Sequence, residues 1–237
     1  TTTPGDPVSD IVLATGAGLA SGLALVVGAA VAWFATIPRW VVASVMAFGA
    51  GVLVSALAFD LVEEATRTGS LWTAMAGFLG GAAVYVVLDL LLQRRGSRTR
   101  PGKGGSGGSG TGLGIALGAL LDGVPETAVQ GLALAGGGGL SVAVLAAVVI
   151  SNVPEGLSST ADMIENGRGA RYVFGVWGGI ALVCALSALG GYALLGQAPA
   201  GVRSAVTALA AGAILAMLAN TMLPEAYRRT RTWTGFI

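Results

Sequence analysis

Histidine is absent from the 237 residues, and cysteine occurs once, at Cys184. The first absence removes the commonest metal ligand and the usual general base, and with it any Ser-His-Asp or Cys-His arrangement. The second excludes an intrachain disulfide framework. Charge is scarce as well: 11% of residues are Asp, Glu, Lys or Arg, in a chain that is 54% hydrophobic. The net charge of +1 selects no partner, and nothing here points to nucleic acid.

Long apolar runs are what the chain has instead. Ile11–Phe34 and Val173–Leu195 carry no charge, and each exceeds the roughly 20 residues that cross a ~30 Å hydrocarbon core. Neither run alternates polar with apolar residues, so a β-barrel is excluded. The fold class is an all-α polytopic membrane protein with the lipid bilayer as its solvent. Gly, Pro and charge breaks divide it into seven segments, about 10–34, 40–63, 70–92, 112–135, 140–162, 172–195 and 202–226. The longest break, 93–110, is basic and then Gly/Ser-rich, the composition of a flexible linker. With that loop in the cytoplasm, 11 of the 13 Lys and Arg lie inside and only Arg67 and Arg203 outside. The positive-inside rule then puts the N-terminus outside.

An internal repeat is visible. Laid over Leu209–Ala226, the stretch Phe48–Ala65 matches at six of 18 positions, with an offset of 161 residues. The same offset carries Trp72-Thr73, at the start of the third segment, onto Trp233-Thr234. The second and seventh segments run in opposite directions, so the repeats are inverted, a plan that transporters use. The expectation is one transmembrane domain over 1–237. Its first repeat is about 10–92, its central pair 112–162, and its second repeat 172–237, incomplete. Seven helices are evident, and an eighth is truncated or lies after Ile237.

The central pair carries the chemistry. "DGVPE" at Asp122–Glu126 and "SNVPE" at Ser151–Glu155 align at Val-Pro-Glu. Each motif lies about 10–12 residues into its helix, roughly 15–18 Å deep at 1.5 Å per residue. A charge at that depth costs about 2.5–3.5 kcal/mol on insertion scales. No Lys or Arg lies within the segments at that level, so compensation falls to protons, water or a bound cation. Asp122 and Glu126 are spaced i, i+4, and Asn152 and Glu155 i, i+3, so each pair shares a helix face. Pro125 and Pro154 free backbone carbonyls one turn earlier, at Leu121 and Ile150. Together these make an all-oxygen cage of Asp122, Glu126, Asn152 and Glu155, suited to Mg²⁺, Mn²⁺ or Ca²⁺ and acceptable to Zn²⁺. A polar track extends it: Gln130 toward one side with Asp60, Glu63 and Glu64 at the end of the second segment, and Ser159 with Asp162 toward the other. Against this stand structural readings. Proline kinks are common in membrane helices, Asp60, Glu63 and Glu64 read as helix-end charges with Glu64 near Arg67, and Asp89 reads as an interfacial partner of Arg94 or Arg95.

These residues resemble the ZIP (Zrt/Irt-like) family of divalent metal transporters. Asn152-Val153-Pro154-Glu155-Gly156 fits that family's fifth-helix motif in full, and "DGVPET" at Asp122–Thr127 fits its fourth-helix motif in part, with Asp122 where the family has His and Gly123 where it has Asn. The resemblance implies a 3+2+3 inverted-repeat bundle that transports Zn²⁺, Mn²⁺ or Fe²⁺ as substrate by alternating access, with no enzymatic activity. The implied location is a bacterial inner membrane, and a homodimer is one arrangement open to it. The family's second-metal positions fall at Leu53 and Leu182, which implies one metal site rather than two. Two other classes stay open: a transporter of a non-metal cation or protons, and a non-transporting metal sensor or scaffold on the same fold. An intramembrane hydrolase is least favoured, since without His it needs a metal-bound water.

Overall fold

The computed structural model describes residues 7–94, 112–135 and 141–230, and these form helices joined by short turns, with no strand among them. Helix α1 is Pro7–Phe34. Helix α2, Arg39–Ala56, runs through a π-helical turn at Leu57–Leu61 into α3, Val62–Thr68. Then come α4, Leu71–Arg94, α5, Gly112–Ala135, and α6, Val142–Glu165. Helix α7, Ala170–Gly190, ends in a π-helical turn at Gly191–Leu195. Helix α8, Ala200–Met217, passes through a third such turn, Leu218–Met222, into α9, Leu223–Thr230.

Local chemistry sets the ends. Pro38 and Pro199, in extended backbone, precede α2 and α8; a proline fixes φ and has no N–H to leave unpaired there. Ser141 caps α6, its hydroxyl accepting from the Val144 N–H at 3.2 Å. The other end of α6 closes on Gly167, at φ 74°. There the Gly167 N–H donates to Ile164 and the Arg168 N–H to Met163, the Schellman pattern that a left-handed glycine permits.

Among the described residues, six spans are long and apolar enough to cross a membrane: Val8–Phe34, Arg39–Thr68, Leu71–Arg94, Val142–Glu165, Ala170–Leu195 and Ala200–Tyr227. Helix α5, as long as α4, carries polar side chains along its described residues. Asp122, Glu126 and Gln130 lower its apolar content, and all three are buried against neighbouring helices. The second segment also runs further than its sequence suggests, to Thr68. Its acids do not end the helix. Glu63 pairs with Arg67 at 3.7 Å, i to i+4, while Glu64 accepts from the Thr68 hydroxyl at 3.1 Å; the expected Glu64–Arg67 pairing is corrected accordingly.

The 161-residue offset reappears in the backbone. It carries Pro38 onto Pro199, Arg39–Ala56 onto Ala200–Met217, and the π-turn Leu57–Leu61 onto Leu218–Met222. Packing follows the same correspondence. Helix α1 lies on α6 as α7 lies on α5, α2 meets α6 as α8 meets α5, and α2 meets α9 as α8 meets α3. The contacts of α4 lack mates among the described residues. Helix α4 packs along α8, with Gly77 against Ala205 and Ala208, Gly81 against the Leu209 carbonyl and Gly212 against the Phe78 carbonyl. On α2, the equivalents of Leu209 and Gly212 are Phe48, 48% exposed, and Gly51, beside open space.

Two buried clusters hold the bundle. One joins α2, α4, α8 and the central pair through Leu53, Leu57, Tyr85, Val129, Val148, Ile214 and Met217. The other lies between α1, α5, α6 and α7, around Leu25, Ala119, Met163, Trp177, Ile180 and Cys184. Trp177 is fully buried and its indole N–H donates to the Thr160 hydroxyl at 2.8 Å. Trp177→Phe keeps most of the packing but strands that hydroxyl, so the thermal midpoint in detergent is expected to fall by an amount equivalent to about 1–3 kcal/mol. An unchanged midpoint would assign the tryptophan's contribution to packing alone.

Candidate functional site

The four residues of the expected cage come from two antiparallel helices. Asp122 and Glu126 on α5 are 6% and 3% exposed, Asn152 on α6 is 3% exposed, and Glu155 is half-buried. The acids stand close enough for the charges of Glu155 and Asp122 both to act on Glu126. Each of two cage members also has a partner that sequence reading missed. Tyr85, buried on α4, donates its hydroxyl to Asp122 Oδ1 at 2.8 Å. The Asn152 amide donates to the Ser21 carbonyl of α1 at 2.9 Å, which leaves its Oδ1 as the free acceptor end. Among the described residues, no three Cys, Asp or Glu side chains are gathered tightly enough to hold one metal ion as they stand.

Around the acids, α5 continues as a regular helix through Pro125 and α6 through Pro154. The carbonyls that side chains reach near the first proline are Gly123 and Val124. Thr127 bonds back to Gly123 at 2.8 Å, and Ser187 of α7 donates to Val124 at 2.9 Å. Cys184, fully buried on α7, belongs to the same neighbourhood. Its sulfur lies against Gly123, the residue after Asp122. Leu53 is buried in the core and Leu182 is 60% exposed, so Leu182 is turned away from the acids. Asp89 is 3% exposed and accepts from Gln93 at 2.8 Å.

The outlying polar residues line two pockets. One, about 240 Å³, is walled by Asp60, Glu63, Glu64, Arg67, Gln130, Ser141, Arg203 and Thr207 among others. Asp60 lies within the π-turn and accepts from Ser141 at 3.1 Å. The other, about 270 Å³, is walled by Arg39, Val42, Met46, Ser158, Asp162, Glu165 and Glu225 among others. Arg39 and Glu165 form an exposed ion pair across it. Ser159, expected on this track, is half-buried beside Ser158. The pockets correspond through the repeat. An offset of 161 carries Glu64, which lines the first, onto Glu225, which lines the second, and Val42 and Met46 of the second onto Arg203 and Thr207 of the first. The Val-Pro-Glu alignment, an offset of 29, carries Val129, Leu132 and Ala133 onto Ser158, Ala161 and Asp162 in the same way.

Fold and site together define a multi-pass α-helical membrane protein with buried acids and a polar pocket near each end of its central helix pair. No protein-family model matches the chain, and no curated protein matches it.

Proposed function

We propose that this chain transports divalent metal cations across a membrane by alternating access, in a ZIP-like 3+2+3 arrangement of inverted repeats. The observation that carries the reading is the placement of Asp122 and Glu126, buried near Glu155, on helices whose two ends open into repeat-related pockets. A structural acid gains nothing from a matched pocket on either side. A substrate site that opens alternately to two faces needs both, and inverted repeats supply them. The bare face of α2 at Phe48 and Gly51 supports the eighth helix of this plan, since the same face of α8 is covered by α4. The positions Trp233-Thr234 lie outside the described residues. In this reading the Gly/Ser loop is cytoplasmic, the N-terminus is outside, and the membrane is a bacterial inner membrane.

Asp122, Glu126, Asn152 and Glu155 would ligate the cargo, as one site, with oxygen donors suited to Zn²⁺, Mn²⁺ or Fe²⁺. In this reading the carboxylates close on the metal when it arrives and part again in the opposite state. A second reading, transport of protons or an organic cation, draws support from the absence of a ready three-ligand cluster among the described residues. Two measurements separate them. Metal transport predicts that Zn²⁺, Mn²⁺ or Fe²⁺ raises the thermal midpoint, by the linkage that stabilises any state a ligand binds, and that proteoliposomes take up the same ion faster than empty vesicles. Neither a shift nor uptake with any of the three would discard the metal. A shift without uptake would make the protein a sensor.

A further inference from the structure

We propose that Gln130 and Ser21 form a closed gate between the Asp60 pocket and the buried acids, a proposal that rests on the transport reading. Gln130 lies one helical turn beyond Glu126 on the same face of α5. It helps wall the Asp60 pocket while being only 1% exposed, so it stands where the pocket ends and the acids begin. Ser21, fully buried on α1, holds it there. The serine hydroxyl and the glutamine side chain are bonded in both senses, Oγ with Oε1 and Nε2 with Oγ, each at 3.2 Å. The same serine's carbonyl accepts from Asn152. One residue of α1 therefore ties a polar side chain of each central helix, and a cation leaving the Asp60 pocket meets this knot first.

At the opposite mouth the corresponding pair forms no such clamp. By the two offsets, Gln130 corresponds to Ser159 and Ser21 to Leu182. Ser159 is half-buried, and Leu182 is 60% exposed with no hydrogen-bonding group. Arg39 and Glu165, which line that mouth, form an exposed ion pair, the kind of contact that contributes little. The amide and hydroxyl oxygens of the clamp are also cation ligands, so once parted the gate offers a stepping point rather than a bare apolar wall.

Cys184 provides the test. It is the only cysteine in the chain, is fully buried, and its sulfur lies against Gly123, next to Asp122. The full chain in vesicles would be exposed to a cationic, membrane-impermeant methanethiosulfonate from each face separately. Ser141→Cys in a Cys184→Ser background identifies the face on which the Asp60 pocket opens. Gln130→Ala and Ser21→Ala are each expected to speed labelling of Cys184 at least tenfold from that face and not from the other. Unchanged rates in both variants would overturn the gate. So would an equal rise from both faces, which marks a loosened fold. Labelling needs no transport, so the two readings fail separately. The expected labelling without cation uptake removes the transport reading, and uptake with unchanged labelling removes the gate.

Discussion

Glu126→Gln and Asp122→Asn are each expected to lower metal uptake into proteoliposomes by about a hundredfold, a loss of roughly 2.7 kcal/mol at 1.36 kcal/mol per tenfold, while making the folded protein more stable. Both halves follow from the same burial. Glu126 and Asp122 are 3% and 6% exposed and lie within reach of each other's charge. An ionised carboxylate at membrane depth is costly by about 2.5–3.5 kcal/mol, and like charges add to that cost. The amide variants keep shape and volume and remove the charge, so they relieve both terms. Asparagine at 122 still offers an oxygen to the Tyr85 hydroxyl, so that bond survives. Residues kept for architecture lose stability when changed; residues kept for a cation gain stability and lose function. Uptake assays paired with detergent melting curves read the two signs together. Intact uptake in both variants, or a fall in stability without a fall in uptake, would remove the acids from the transport path.

Much of this arrangement can be read from residue order, because a bilayer imposes simple length and polarity rules. The apolar runs mark the membrane spans. The acids and prolines of the central pair stand out because so little else there is polar. The repeat is legible to an unexpected depth: six identities among 18 positions define the same offset that later aligns two prolines and two π-helical turns. The π-turns themselves leave no signal, since one extra residue in a turn barely disturbs an apolar pattern. Ser21, Tyr85 and Cys184 escape notice for a different reason. Each is a small or amphipathic residue in an apolar helix, where such residues usually serve packing. Their roles come from partners far along the chain, Gln130 at 109 residues and Asp122 at 37, and helical periodicity carries no information about which faces meet. Glu64 reads as a neighbour of Arg67, the nearest opposite charge, whereas that arginine pairs with Glu63 and Glu64 accepts from Thr68.

The seam between α1 and α6 decides whether the site forms at all, and Gly156→Ala and Gly28→Ala are each expected to cost about 3 kcal/mol or more, at or beyond the upper end of ordinary overpacking. A methyl at Gly156 would run into the Leu25 carbonyl, and one at Gly28 into the Val153 carbonyl. The two glycines answer each other across the crossing, each three residues from the backbone its partner meets: 25 and 28 on one helix, 153 and 156 on the other. Such a contact cannot relax by turning a side chain, because both obstacles are main chain. The only relief is separation of the helices, and in a bilayer their association depends on close packing of small residues. Separation would also draw Ser21 away from Asn152, four residues before Gly156, and so loosen the tie that orients the amide beside the acids. Gly178→Ala and Gly179→Ala on α7 serve as controls, since a methyl at either position meets nothing within 4 Å. The expected pattern is normal folding for the controls and a lowered melting midpoint with lost metal uptake for the seam variants. A Gly156→Ala protein as stable as Gly179→Ala would mean that α1 does not approach α6 this closely, and the placement of Asn152 and Ser21 around the acids would go with it.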